Sequence, residues 1–132
     1  MATVLIVEDD RANTLVFRKI LTKRGKLDVL HTEDVNEILQ LAQAQAVDLI
    51  LMDVSLSNSA HEGQPVDGVK ITQLLKSSSE TQRVPVVLVT AHAMQGDREN
   101  LLKQSGADAY ISKPVVDQQK FVDTIQQLIQ TQ

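Results

Sequence analysis

Asp53 closes the apolar run Asp48-Leu-Ile-Leu-Met-Asp53, which puts a carboxylate where a buried strand should end. Thr3-Val-Leu-Ile-Val7 runs in the same way into Glu8-Asp9-Asp10. A third apolar run, Val84-Pro-Val-Val-Leu-Val89, stops at Thr90-Ala91, and a fourth, Ala109-Tyr-Ile-Ser112, stops at Lys113-Pro114. In an open parallel sheet such ends line one edge, where these folds bind their ligands. Three acids, a hydroxyl and an amine on one rim are the parts of a magnesium-dependent phosphoryl acceptor site.

Other residues carry plainer readings. Asp10 sits where a helix begins and reads as its capping residue, not as a ligand. His31, His61 and His92 follow no metal-ligand spacing and read as ordinary residues, with His31 ending an edge strand. Arg18, Lys19, Lys23, Arg24 and Lys26 form a solvated helix face.

These groups need elements to hold them. Strands are expected at Thr3–Val7, Leu27–His31, Asp48–Met52, Val84–Val89 and Ala109–Ser112, alternating with helices. The first helix carries Leu15, Val16 and Ile20, and its stop signal is Lys23-Arg24 followed by Gly25. The second opens on Asp34-Val-Asn-Glu37, a capping-box variant, and buries a stripe of Val35, Ile38, Leu39, Ala42 and Ala46. The third, around Val69–Ser77, buries Ile71, Leu74 and Leu75. The fourth, around Asp97–Gln104, is weakly amphipathic, and the fifth, Asp117–Gln130, shows Phe121, Val122, Ile125, Leu128 and Ile129 on one stripe. Such alternation implies right-handed crossovers and a parallel sheet covered on both faces.

Size and composition narrow the function classes. The chain has 132 residues, 42% hydrophobic and 23% charged, which suits one globular domain. It has no cysteine, which excludes a disulfide scaffold, a thiolate nucleophile and a cysteine zinc site. A net charge of −4 gives no reason to expect nucleic acid as a ligand. No apolar stretch approaches the roughly 18 residues of a membrane span, and no basic leader precedes the first strand. The expectation is a cytoplasmic protein without membrane insertion.

Five segments, in order and at domain-scale spacing, carry a family resemblance. They are Val4-Leu-Ile-Val-Glu-Asp-Asp10, Leu49-Ile-Leu-Met-Asp53, Asp67-Gly68, Val87-Leu-Val-Thr-Ala91 and Gly106-Ala-Asp-Ala-Tyr-Ile-Ser-Lys-Pro114. Together they resemble the receiver domain of bacterial two-component response regulators over nearly the whole chain. The resemblance implies a single receiver domain over 1–132. Its fold would be α/β, a flavodoxin-like doubly wound five-stranded parallel sheet of order 2-1-3-4-5 with five helices.

Phosphoryl transfer brings negative charge onto a carboxylate that is already negative, so the site needs a divalent cation and a fixed amine. By the resemblance, Glu8 and Asp9 hold Mg2+, and Asp53 is both ligand and phosphoacceptor. The backbone carbonyl of Ser55 completes the metal set. Lys113 pairs with a phosphate oxygen, and the Thr90 hydroxyl donates to another. Thr90 and Tyr110 form the switch, with output through the face of the fourth helix, fifth strand and fifth helix. The implied phosphodonor is a histidine kinase or phosphotransfer protein, and the implied target is a downstream effector protein. Such a protein is not an enzyme on a separate substrate but catalyses its own phosphoryl transfer and dephosphorylation. The fifth helix reaches the end of the chain, so the expectation is a stand-alone receiver.

Two departures stand out. The segment between Asp53 and Gly68 is several residues longer than usual in the family and lacks its common Met-Pro step. Within it, Ser55–Val66 is polar, has Leu56 as its one large apolar residue, and is expected to be mobile and to shape partner choice more than chemistry. Val115 stands after Lys113-Pro114 where an aromatic is common. Three other functions compete with a working receiver. An aspartyl-phosphate phosphohydrolase of the haloacid dehalogenase type needs a second Asp at the position of Ser55. A flavodoxin needs a phosphate-cradling loop where Glu8-Asp9-Asp10 stand, and more aromatics than Phe17, Phe121 and Tyr110. A receiver degenerated to a docking module would not need the full set of Glu8, Asp9, Asp53, Thr90 and Lys113.

Overall fold

The computed structural model describes residues 2–56, 59–91 and 97–131. Strand β1 (Thr3–Val7) is apolar along nearly its whole length and leads into helix α1 (Arg11–Lys23). Then come β2 (Asp28–His31), α2 (Val35–Gln43) and β3 (Leu49–Asp53). A two-stranded hairpin follows, β4 (Ala60–His61) with β5 (Gln64–Pro65), and then α3 (Gly68–Ser77). The chain ends with β6 (Val86–Thr90), α4 (Asp97–Ser105), β7 (Ala109–Ser112) and α5 (Gln118–Gln130).

The main sheet has the order β2-β1-β3-β6-β7, and all its pairings are parallel. This is the expected 2-1-3-4-5 arrangement, with the small hairpin occupying two places in the numbering. Alternate strand residues feed two cores. Leu5, Val7, Ile50, Met52 and Leu88 pack with α2 and α3, whereas Val4, Ile6, Leu51, Val87 and Val89 pack with α1 and α5. Phe17 stacks on Phe121 between α1 and α5 with ring centroids 5.7 Å apart, so two of the three aromatic residues are committed to the core.

Four helices begin on an aspartate whose carboxylate accepts from an amide in the first turn. Asp10 accepts from Asn13, Asp34 from Asn36 and Glu37, Asp67 from Lys70, and Asp117 from Lys120. Asp10 is therefore the cap expected from sequence. At Asp34 only half of the expected box forms, because its own N–H donates to Thr32 Oγ1 at 3.1 Å.

Several details differ from the sequence reading. β3 takes in Asp53, which pairs with Val89. β6 starts at Val86, since Pro85 lacks an N–H and contributes only its carbonyl, to Ile50 at 2.9 Å. On α1 the inward face is Thr14, Phe17, Ile20 and Leu21, while Leu15 and Val16 lie in solvent at 57% and 51% exposure. Ala46 lies beyond the end of α2 and is exposed, and Leu74 is only partly buried.

The segment after Asp53 is not the open loop expected. Leu56 is buried in the α2–α3 core, and Ser59 is buried with its Oγ donating to the Glu33 carbonyl at 2.8 Å. The hairpin turns at Glu62-Gly63, both at positive φ, as a two-residue hairpin turn requires. Residues 57 and 58 of this segment, and His92, lie outside the described residues.

Candidate functional site

The carboxyl ends of β1, β3, β6 and β7 meet at one rim. Val7 pairs with Met52 in the β1–β3 ladder, so the next residues along, Glu8 and Asp53, follow side by side. Thr90 pairs with Ser112 in the β6–β7 ladder, and its carbonyl accepts from the Lys113 amide at 2.8 Å. Glu8 continues the alternation of Val4 and Ile6, Asp53 that of Leu49 and Leu51, and Lys113 that of Ala109 and Ile111. All three thus fall on the parity of the α1–α5 face. Thr90 and Tyr110 fall on the opposite parity, on neighbouring strands and two register positions apart, since Thr90 pairs with Ser112 and Leu88 with Tyr110.

Lys113 Nζ donates to Glu8 Oε1 at 3.1 Å and to Asp53 Oδ1 at 3.4 Å. Glu8, Asp53 and Thr90 are all buried. Burying a carboxylate costs free energy unless it is paired and hydrogen-bonded. Here one cation serves two carboxylates, so the cluster retains excess negative charge.

Its protonation reflects that imbalance. Burial pushes the Glu8 carboxyl up to about 7, helped by a hydrogen bond and charge shared with Asp53, while Lys113 pulls the other way. Burial also draws the Lys113 ammonium down, but the hydrogen bonds and charges of Glu8 and Asp53 outweigh it and the group is raised.

The donor set fits a small divalent cation. Glu8, Asp9 and Asp53 each bring one carboxylate oxygen within 4.8 Å of the others. These are hard oxygen donors on the backbone ends of two adjacent strands, the ligand type that Mg2+ takes. Asp10 is turned away by its capping bond to the Asn13 amide at 3.1 Å. Ser55 follows β3, exposed, and its amide donates to Asp53 Oδ1 at 3.2 Å, which helps hold the Asp53 carboxylate.

Two residues carry more weight than their sequence context indicated. Gly68 N donates to the Val54 carbonyl at 3.1 Å, and a Cβ at this position would run into the carbonyl oxygen of Asp53. Only glycine lets α3 start against the strand end that bears Asp53. The sequence cue was Asp67-Gly68, a helix cap followed directly by glycine. His31, read as an ordinary residue, places Nε2 at 2.7 Å from the backbone carbonyl of Glu8. Nothing in its spacing revealed that contact.

Comparison with known proteins agrees with this arrangement. Residues 4–126 match the family model described as the response regulator receiver domain. The chain is 39% identical over 123 residues to the polar-differentiation response regulator DivK of Brucella anthropi, covering 93% of this chain and 92% of that one. The DivK of Brucella abortus matches with the same identity and coverage. Among solved structures, the receiver domain of a sensor histidine kinase from Pseudomonas aeruginosa superposes with a TM-score of 0.79 at 32% identity, covering 98% of both chains. That protein carries a magnesium ion in its active-site cleft. A response regulator structure from Chloroflexus aurantiacus gives a TM-score of 0.81 at 22% identity, which speaks for the fold alone.

Proposed function

The chain belongs to the response regulator receiver domain family of two-component signalling, and from that premise we propose that it is a phosphorylation-controlled switch whose acceptor is Asp53. The observation that carries the proposal is the part-buried Lys113 amine shared by the buried Glu8 and Asp53 beside Asp9. Asp53 is the carboxylate at the end of a central strand that has both a fixed cation and two further acids next to it.

Each residue has a role in this reading. Glu8, Asp9, Asp53 and the Ser55 backbone hold Mg2+, which when bound neutralises the charge gathered at the acceptor. The Asp53 carboxylate attacks the phosphorus of the donor, and the bond from phosphorus to the donor's leaving atom breaks. Lys113 leaves its carboxylate partners to pair with a phosphoryl oxygen, and the Thr90 hydroxyl donates to another. Thr90 and Tyr110 share one face of adjacent strands, so a movement of Thr90 toward the phosphoryl group alters the space beside the Tyr110 ring. A state that binds the phosphoryl oxygens better is populated on phosphorylation.

The donor is a histidine kinase or phosphotransfer protein, and the readout is a partner protein on the α4–β7–α5 face. The 132 residues act as one receiver domain, and the cytoplasmic location expected from the sequence belongs to the same reading. Among the described residues no helix is long and apolar enough to cross a membrane.

The test is incubation with Mg2+ and a small phosphodonor, followed by intact mass. The reading requires a gain of one phosphoryl group that is lost on mild base and prevented by a chelator. No gain under any donor would leave a docking module without phosphoryl chemistry.

A further inference from the structure

The carbonyl of Glu8 stands where the β1–β2 ladder runs out. In that ladder Thr32 N donates to the Ile6 carbonyl at 3.2 Å, and the next donor in a parallel pairing would be the Asp34 amide. That amide is taken by Thr32 Oγ1, because the chain is already turning into the α2 cap. The Glu8 carbonyl is instead met by the imidazole of His31, Nε2 at 2.7 Å. A carbonyl can only accept, so Nε2 carries the proton.

We infer that His31 is a positioning residue for the metal site, its side chain continuing the sheet by one bond and fixing the Glu8–Asp9 peptide plane. Two consecutive ligands hang from that plane. Glu8 turns inward to Lys113 and Asp53, and Asp9 brings its oxygen to the same cluster. Rotating the peptide would move both carboxylates at once. Outer partners of this kind typically change metal affinity by about 10–100-fold when lost. The inference rests on the proposed Mg2+ role of Glu8 and Asp9.

The experiment compares Mg2+ affinity and urea midpoint in wild type, His31→Ala, His31→Gln and Asp9→Asn, with the Asp9 amide followed by 15N NMR in metal-free buffer. Gln keeps an N–H donor of similar reach. The expected result is about tenfold or greater weakening of Mg2+ binding in His31→Ala, recovered in His31→Gln. The Asp9 amide should shift in the alanine variant and return with glutamine. Wild-type affinity in His31→Ala, while Asp9→Asn loses binding, overturns the role of His31 and leaves the metal site standing. A lower urea midpoint in His31→Ala with unchanged affinity also overturns it, since His31 would then be merely structural. If His31→Ala does not fold, His31→Gln decides: weak Mg2+ binding there overturns the inference. Loss of neither variant's binding relative to a wild type indifferent to Asp9→Asn overturns the inference and the metal site together.

Discussion

Lys113 and the buried Glu8 form a part-buried ion pair, Nζ to Oε1 at 3.1 Å, on the rim where Lys113 also reaches Asp53 at 3.4 Å. Without metal, the amine that would pair with a phosphoryl oxygen serves as counter-ion to two acids. The first prediction follows from the strain of that arrangement. The folded chain holds the Glu8 proton up to about 7, whereas the ordinary value is 4.5. Its contribution to stability is therefore fully present below about 4.5 and lost as pH rises toward 7. Metal-free protein should show a falling urea midpoint over that window, and Glu8→Gln should flatten the fall. A midpoint that rises across the window in wild type would contradict the protonated, buried Glu8.

Gly68 tests how tightly the acceptor strand is gripped. Alanine here would meet the Asp53 carbonyl group and the Met52 Cγ, and the nearest of these is strand backbone that cannot yield cheaply. Gly68→Ala should destabilise by about 1–3 kcal/mol, as overpacking does, and should slow phosphorylation by a small donor. Gly63, whose added Cβ would meet open space, serves as the comparison. Its positive φ should cost Gly63→Ala about 1 kcal/mol with no change in labelling.

The hairpin after Asp53 is anchored at its base and free at its tip. Leu56→Ala should cost about 2–5 kcal/mol by opening a cavity in the α2–α3 core. Ser59→Ala should cost about 1 kcal/mol through the bond to the Glu33 carbonyl. Equal urea midpoints for wild type and Leu56→Ala would show the segment to be as loose as its composition suggests.

Much of this was legible in the chain. Apolar β-branched runs ending in Glu8, Asp53, Thr90 and Lys113 gave the rim, because strand ends in a parallel sheet share one edge, and the family resemblance implied the sheet order. What escaped were features set by three-dimensional packing. Leu15 and Val16 look like core residues until the phase of α1 is fixed by Phe17 stacking on Phe121. The polar residues 59–66 hide a hairpin, tied to the core side by the buried Ser59 hydroxyl on the Glu33 carbonyl and preceded by the buried Leu56. His31 is an exposed strand-end residue whose contact is to a backbone atom, which no side-chain spacing encodes.

The switch carries its own test. Thr90 and Tyr110 lie two register positions apart on the same face of β6 and β7. Phosphorylation should change the NMR signals of the Tyr110 ring in wild type. Thr90→Ala should accept the phosphoryl group yet change those signals far less, because the hydroxyl that we propose couples the two positions is gone. An equal response in the variant would place the switch elsewhere.

The identity of the acceptor is the central claim, and mapping it by peptide mass after reaction with Mg2+ and a small phosphodonor tests it most directly. Wild type should carry one phosphoryl group on the peptide containing Asp53. Asp53→Asn, nearly isosteric and expected to fold, should carry none. A phosphoryl group on any other peptide, or one that persists in Asp53→Asn, would contradict the account.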